Sequence, residues 1–346
     1  MKIAVVGCGA LGSFYGAQLC RSGHEVHCLL RSDFDAVSQR GVRILSVAGD
    51  FCVRPHCARV PEDIGIADGV LIGLKTTANH QFARLLPPLV GPATAVVTLQ
   101  NGLGNEEALA AQFGPDRVLG GLCFVCLNRL EPGLIQHSAH GSILLGEFQR
   151  PAQTRTRQWA GHFAQAGVPC AVSDDLARAH WEKLVWNIPF NGLGVAGTAG
   201  FEAVRTGHLP AETILASRIG LDTQRLLSEP RWEKLVRALM REVILTGRAL
   251  GHALEDHLAE DLLARTRCMG AYRASTLIDF ERGHPLELES LFLIPWRMAQ
   301  RAGVDTPCLA ALCHVLAQLD PGRPSVASSA PTSSPGLPQA PFGTAA

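Results

Sequence analysis

Between Trp181 and Asn191 the chain reads Trp-Glu-Lys-Leu-Val-Trp-Asn-Ile-Pro-Phe-Asn, with Lys183, Asn187 and Asn191 four residues apart. On an α-helix each step of four advances about 40°, so all three fall within roughly 80° of one face. Leu184, Val185, Ile188 and Phe190 supply apolar faces that would bury such a helix. A cation and two amides aligned in so apolar a segment are costly to desolvate unless something uses them. The alternative is a solvated polar face. An amine of ordinary pKa, about 10.4, is protonated at neutral pH and can both steady a developing oxyanion and deliver a proton. Pro189 lacks an N–H and should kink or end the helix nearby, opening the face that carries Asn191.

What this face would act on comes from the start of the chain. Met1 to Val6 reads as a buried parallel strand, apolar and without alternation. Gly7-Cys8-Gly9-Ala10-Leu11-Gly12 follows, and then a helical pattern from Ser13 to Arg21. Gly7 permits a tight turn, Gly9 lets the backbone approach a pyrophosphate, and Gly12 lets helix and strand pack closely. Free N–H groups and the dipole at the helix start favour phosphate. Out of this context the glycines would be only a turn; between strand and helix they predict a dinucleotide site. A second strand, Glu25 to Leu30, ends at Arg31 and Ser32, where an NAD site usually has an acid. A guanidinium there can grip a 2′-phosphate, so NADP is preferred. Asp33 and Asp35 are the ribose acids if the strand ends elsewhere.

Two more strand ends carry polar groups, where parallel sheets place ligands. Lys75 closes the apolar run Gly69 to Lys75, and Asn101 follows Ala93 to Leu99 within Gln100-Asn101-Gly102-Leu103-Gly104. Lys75 is a candidate to face the cofactor, or a solvated turn lysine. Asn101 is a candidate for the nicotinamide ribose or the substrate, or simple turn chemistry.

These positions need a scaffold, and the pattern supplies one. Strand-like stretches at Arg117 to Leu127, Ser142 to Glu147 and Gly167 to Val172 extend the first half, and Gln158 to Ala166 is amphipathic. Ser173-Asp174-Asp175 caps the helix that carries Lys183. Beyond it the periodicity is helical, as at Arg231 to Gly251, Leu258 to Arg267 and Leu288 to Ala302. The expected fold is α/β, a Rossmann dinucleotide-binding domain over 1–173 followed by an all-α domain over 174–319. Ser275 reads as a loop or cap hydroxyl, and Glu287, after the turn Gly283-His284-Pro285, as a helix-start acid. The Pro-, Ser- and Ala-rich stretch 320–346 predicts a disordered tail without catalytic duty.

Composition excludes several classes. With 346 residues and 47% hydrophobic content the chain can fill two cores. Its formal net charge of zero argues against nucleic acid. No apolar run approaches the roughly 18 residues of a membrane helix, and a cytoplasmic protein is expected. Eleven cysteines scattered among hydrophobics suit free thiols. In Cys123-Phe-Val-Cys126 the sulfurs would point to opposite faces of a strand, and no zinc pattern is complete, so no metal is expected.

Together these residues resemble the ketopantoate reductases (2-dehydropantoate 2-reductases) over about residues 1–318. The resemblance rests on the glycine turn, Arg31, Lys75, Gln100-Asn101-Gly102, the Lys183, Asn187 and Asn191 spacing, and Ser275 twelve before Glu287. It implies an NADPH-dependent reduction of 2-dehydropantoate to pantoate, in a cleft between a Rossmann domain and a helical domain. The glycine turn, Arg31 and Lys75 would bind cofactor, and Asn101 would lie between cofactor and substrate. Lys183 would be the general acid, and Asn187, Asn191, Ser275 and Glu287 would bind the substrate. Gly192 stands where the family often has proline, Gly192 to Gly200 is glycine-rich, and no asparagine follows shortly after. Two alternatives therefore stay open, another small 2-oxo acid as substrate and a non-catalytic NADP-binding regulator. Helical second domains of this kind can support a homodimer.

Overall fold

A computed structural model describes residues 1–209 and 218–322. The first half is a sheet of β1 (Lys2–Val6), β2 (Glu25–Leu29), β3 (Val42–Ser46), β4 (Phe51–Val53), β5 (His56–Ala58), β6 (Ala67–Ile72), β7 (Val90–Thr98), β8 (Val118–Glu131), β9 (Leu134–Glu147) and β10 (Cys170–Ser173). Its order is β4-β3-β9-β8-β7-β6-β1-β2-β5, with β10 also on β9. From β5 through β8 the pairings are parallel. β9 returns antiparallel along β8, then takes β3 against Leu134 to His137 and β10 against Ile143 to Gly146.

The apolar run of β1 lies between two packed layers. Ile3 and Val5 join Phe14, Leu71, Val97, Trp159 and Phe163 on one side. Ala4 and Val6 join Val70, Ile72, Val96 and Leu109 on the other. Alternate residues of a strand face opposite ways, so a strand covered on both faces must be apolar throughout.

The second half is built on the helix Leu176–Ala196. Asp175 caps it by accepting a hydrogen bond from the Arg178 N–H at 2.9 Å. Trp181, Leu184, Val185, Ile188 and Leu193 lie in one core with residues of the helices Pro230–Ala249 and Pro307–Leu319. Pro189 does not end this helix, which runs seven residues further; surrounding packing offsets the loss of one helical hydrogen bond. The glycines after Asn191 have a packing reason. A β-carbon at Gly192 would lie 2.6 Å from a Leu312 methyl, and one at Gly197 would lie 2.4 Å from a Leu221 methyl.

Other boundaries shift. The glycine-turn helix begins at Ala10 rather than Ser13. β9 begins at Leu134, well before Ser142. The segment read as one helix from Leu288 opens with a π-helical turn, Glu289–Leu293, before Ile294–Arg301. The eleven cysteines are free; Cys123 is buried and Cys126 half-buried on β8. Of the stretch 320–346 only residues 320–322 are described. Asp320 is anchored, its Oδ1 accepting from the Leu286 N–H at 2.9 Å; the expected tail beyond lies outside the described residues. Among the described residues no helix is long and apolar enough to cross a membrane.

Candidate active site

Gly7 turns the chain with φ +95°, and a β-carbon there would lie 2.2 Å from the Leu74 nitrogen. Gly12 is equally closed, since its β-carbon would lie 2.3 Å from the Gly7 carbonyl oxygen. At Gly9, by contrast, a β-carbon would meet nothing within 4 Å. The helix's first backbone bond runs from the Ser13 N–H to Gly9 O at 3.1 Å, so the N–H groups ahead of Ser13 have no helical acceptor. Two glycines are thus fixed by the protein and the third borders an open cradle of N–H donors, which fits a pyrophosphate. Gly7→Ala is expected to destabilise the fold by roughly 2 kcal/mol or more. Gly9→Ala is expected to change stability by less than about 1 kcal/mol, yet to weaken dinucleotide binding at least tenfold. Melting temperatures and fluorescence titrations of the two variants separate the effects.

Arg31 lies exposed just beyond β2 and has no partner among the described residues. Both nearby acids are taken. Asp33 receives the Arg129 Nε–H at 2.9 Å and the Gly133 N–H at 3.3 Å. Burial works against the Asp33 charge, but Arg129, Ser32 and Gly133 hold its carboxyl below the usual range. Asp35 pairs with Arg59 at 2.7 Å. The strand end therefore offers a free guanidinium beside acids that already have cation partners, which suits a 2′-phosphate better than a ribose hydroxyl.

At the end of β7, the Lys183 Nζ donates to Asn101 Oδ1 at 2.9 Å, joining the helical half to the loop after that strand. The Phe124 ring centroid lies 5.4 Å from the same ammonium. Burial lowers the Lys183 pKa; Cys123 and Glu287 oppose the shift but do not cancel it. Burial pushes the Cys123 thiol itself up to about 11. Asn187, one turn on, is 7% exposed, and its amide has no hydrogen-bond partner among the described residues. Asn191 has a structural duty: its Oδ1 accepts from the Thr276 N–H at 3.1 Å and, at a long 3.4 Å, from the Ser275 hydroxyl. It thereby holds the start of the helix Ser275–Glu281.

Asn101 is positioned from both sides. Asn105 Nδ2 donates to its carbonyl at 3.1 Å, and Asn105 Oδ1 accepts from Asn79, whose own Oδ1 accepts from Gln100. Next to it, Leu103 is buried in the core of the helical half, and its N–H donates to Ser290 O at 2.9 Å. Gly102, at φ +82°, permits this approach, since a β-carbon would lie 2.5 Å from the Ser290 backbone. Ser290 belongs to the π-helical turn, a form that often occurs at functional sites.

Lys75 reaches across the same seam. Its Nζ lies 2.7 Å from Asp279 Oδ2 and 3.5 Å from Glu287 Oε2. Burial alone would lower its pKa, but Glu287 and Asp279 outweigh it and raise the value above that of an ordinary lysine. Glu287 Oε1 also accepts from the Thr76 N–H at 2.9 Å, and Ser290 donates to the Thr76 hydroxyl at 2.7 Å. Lys183 and Asn101 thus meet directly, as do Asn191 and Ser275, and Lys75 and Glu287. Lys75 pairs with carboxylates of the helical half and stays 52% exposed. Asp279, Thr76, Ser290, Asn79 and Asn105 escaped sequence reasoning. Asp279 had a signal, standing four residues after Ser275 on one helix face.

Comparison with known proteins adds an independent line. The family described as "Ketopantoate reductase PanE/ApbA" matches residues 3–150, and its C-terminal counterpart matches residues 175–320. A 2-dehydropantoate 2-reductase from Nostoc sp. is 37% identical over 329 residues, covering 92% of this chain and 95% of the relative. The solved 2-dehydropantoate 2-reductase of Geobacter metallireducens superposes with a TM-score of 0.84 at 43% identity, covering 92% of this chain and 99% of its own. That of Methylococcus capsulatus gives 0.79 at 34% identity, over 90% and 94%.

Proposed function

The chain belongs to the ketopantoate reductase family, and from that premise we propose that it reduces 2-dehydropantoate to pantoate with NADPH, a step of pantothenate synthesis. The observation that carries the assignment to this chain's residues is the 2.9 Å contact between Lys183 and Asn101 across the seam. It sets a half-buried ammonium against the end of β7, in a sheet whose β1 feeds the glycine turn.

The hydride would come from the cofactor when bound. Gly7 to Gly12 would hold its pyrophosphate through backbone N–H groups, and Arg31 would take the 2′-phosphate. As charge develops on the ketone oxygen, the Lys183 ammonium stabilises it and delivers the proton. Asn101 aims that ammonium. Asn187, its amide unspent, binds substrate without adding charge. Ser275, set by Asn191, takes the substrate carboxylate. Glu287 keeps lone pairs beyond those used by Thr76 and Lys75 and accepts a substrate hydroxyl. An analogue without that hydroxyl leaves the carboxylate short of a partner and is disfavoured.

Loss of NADPH absorbance on adding 2-dehydropantoate is the direct test. Faster turnover of another oxo acid in a panel would reassign the substrate. Cofactor binding without oxidation by any oxo acid would favour the non-catalytic regulator. A cytoplasmic location and a homodimer belong to the same proposal; light scattering of the purified chain tests the second.

A further inference from the structure

At the edge of the sheet opposite the glycine turn, Glu25, His27 and His56 converge. Glu25 and His27 alternate onto one face of β2, and His56 on β5 is the register partner of His27. The two imidazoles are stacked, with centroids 4.5 Å apart and planes 17° from parallel. Glu25 Oε1 lies 2.7 Å from His27 Nε2. One donor atom from each of the three side chains lies within 4.8 Å of the others. His27 is largely sheltered, at 14% side-chain exposure, while Glu25 opens to solvent at 54%. His56 has no hydrogen-bond partner among the described residues. The nearest strand cation, Lys2, is the register partner of Glu25 but sends its ammonium to the Ile64 carbonyl at 2.5 Å.

We infer that Glu25, His27 and His56 form a site for a divalent transition-metal ion, with the fourth position open to water. Two imidazoles and a carboxylate are a donor set suited to zinc, nickel or copper rather than to calcium or magnesium. Tetrahedral ligation at about 2.1 Å sets donors roughly 3.4 Å apart, so separations of up to 4.8 Å close by as much as about 1.4 Å while the 2.7 Å Glu25–His27 contact opens by about 0.7 Å. Side-chain rotation supplies that, because both strands are fixed in the sheet. The ion takes the place of the hydrogen bond between Glu25 and His27, and it gives the His56 ring nitrogens a partner. It also clips β5, an edge strand of three residues, to β2.

The test is titration of the full chain, freed of any polyhistidine tag and stripped with chelator, with Ni²⁺ alone. One Ni²⁺ per chain is expected, with affinity falling at least tenfold in His27→Gln and in His56→Gln, while NADPH titrations stay unchanged. A Co²⁺ complex without a thiolate charge-transfer band is expected too, distinguishing this site from the cysteines. Absence of saturable Ni²⁺ binding, or wild-type affinity retained in both histidine variants, overturns the site. Should a histidine variant lose its fold, the exposed Glu25→Gln decides: weaker Ni²⁺ binding supports the site and unchanged binding removes it.

Discussion

Lys183→Ala is expected to lower kcat by about 10²–10⁴-fold, the usual weight of a general acid, with NADPH affinity kept within a few-fold. The amine sits where the helical half meets the Asn101 loop, not at the glycine turn, so its removal spares the cofactor's phosphate contacts. Asn101 loses its charged partner but keeps the Asn105 hydrogen bond, which limits local collapse. The wild-type pH profile follows from the direction of the Lys183 shift. The acid works while protonated, so activity falls as pH rises through its pKa. Burial lowers that pKa, so the alkaline limb should lie below the ordinary lysine value of about 10.4. Near-normal turnover in Lys183→Ala would remove this residue from the reaction.

Arg31→Ala is expected to weaken NADPH binding by about 10–10²-fold and NADH binding by no more than about threefold. The first figure corresponds to roughly 1.5–3 kcal/mol for hydrogen bonds to a charged group. Its selectivity rests on the surroundings: Asp33 spends both carboxylate oxygens on Arg129, Ser32 and Gly133, and Asp35 is paired with Arg59. Equal losses for the two cofactors, measured by fluorescence titration, would mean that residue 31 does not read the 2′-phosphate.

Much of this architecture is written locally. The glycine turn was legible because backbone geometry demands glycine at Gly7 and Gly12, whatever else the chain does. The alignment of Lys183, Asn187 and Asn191 was legible because a helix converts spacing into direction. What failed was less periodic. The first half of β9 carries Gln136, His137, Ser138 and His140, and His140 takes φ 62°, so neither alternation nor an apolar run marks it as strand. Its irregular register against β8 blurs the pattern further. The seam contacts were hidden for another reason. Lys75 and Asp279 are 204 residues apart, and nothing local tells a lysine at a strand end which carboxylate will reach it. At Pro189 one of the two local expectations, an end to the helix, is overruled by a helix buried on nearly every side.

The sheet's connectivity has a consequence for the nascent chain. β3 and β4 are made early, yet they join the sheet only through β9, whose pairing partners for β3 begin at Leu134. Until then the two strands can pair only with each other, a short hairpin with no third strand to steady it. β10 completes the far half of β9 later still, at Ser173. During synthesis this half of the molecule must therefore wait, with an unsatisfied edge, until the ribosome has released about half of the polypeptide. Unpaired strand edges in such an interval are open to aggregation or capture by a chaperone.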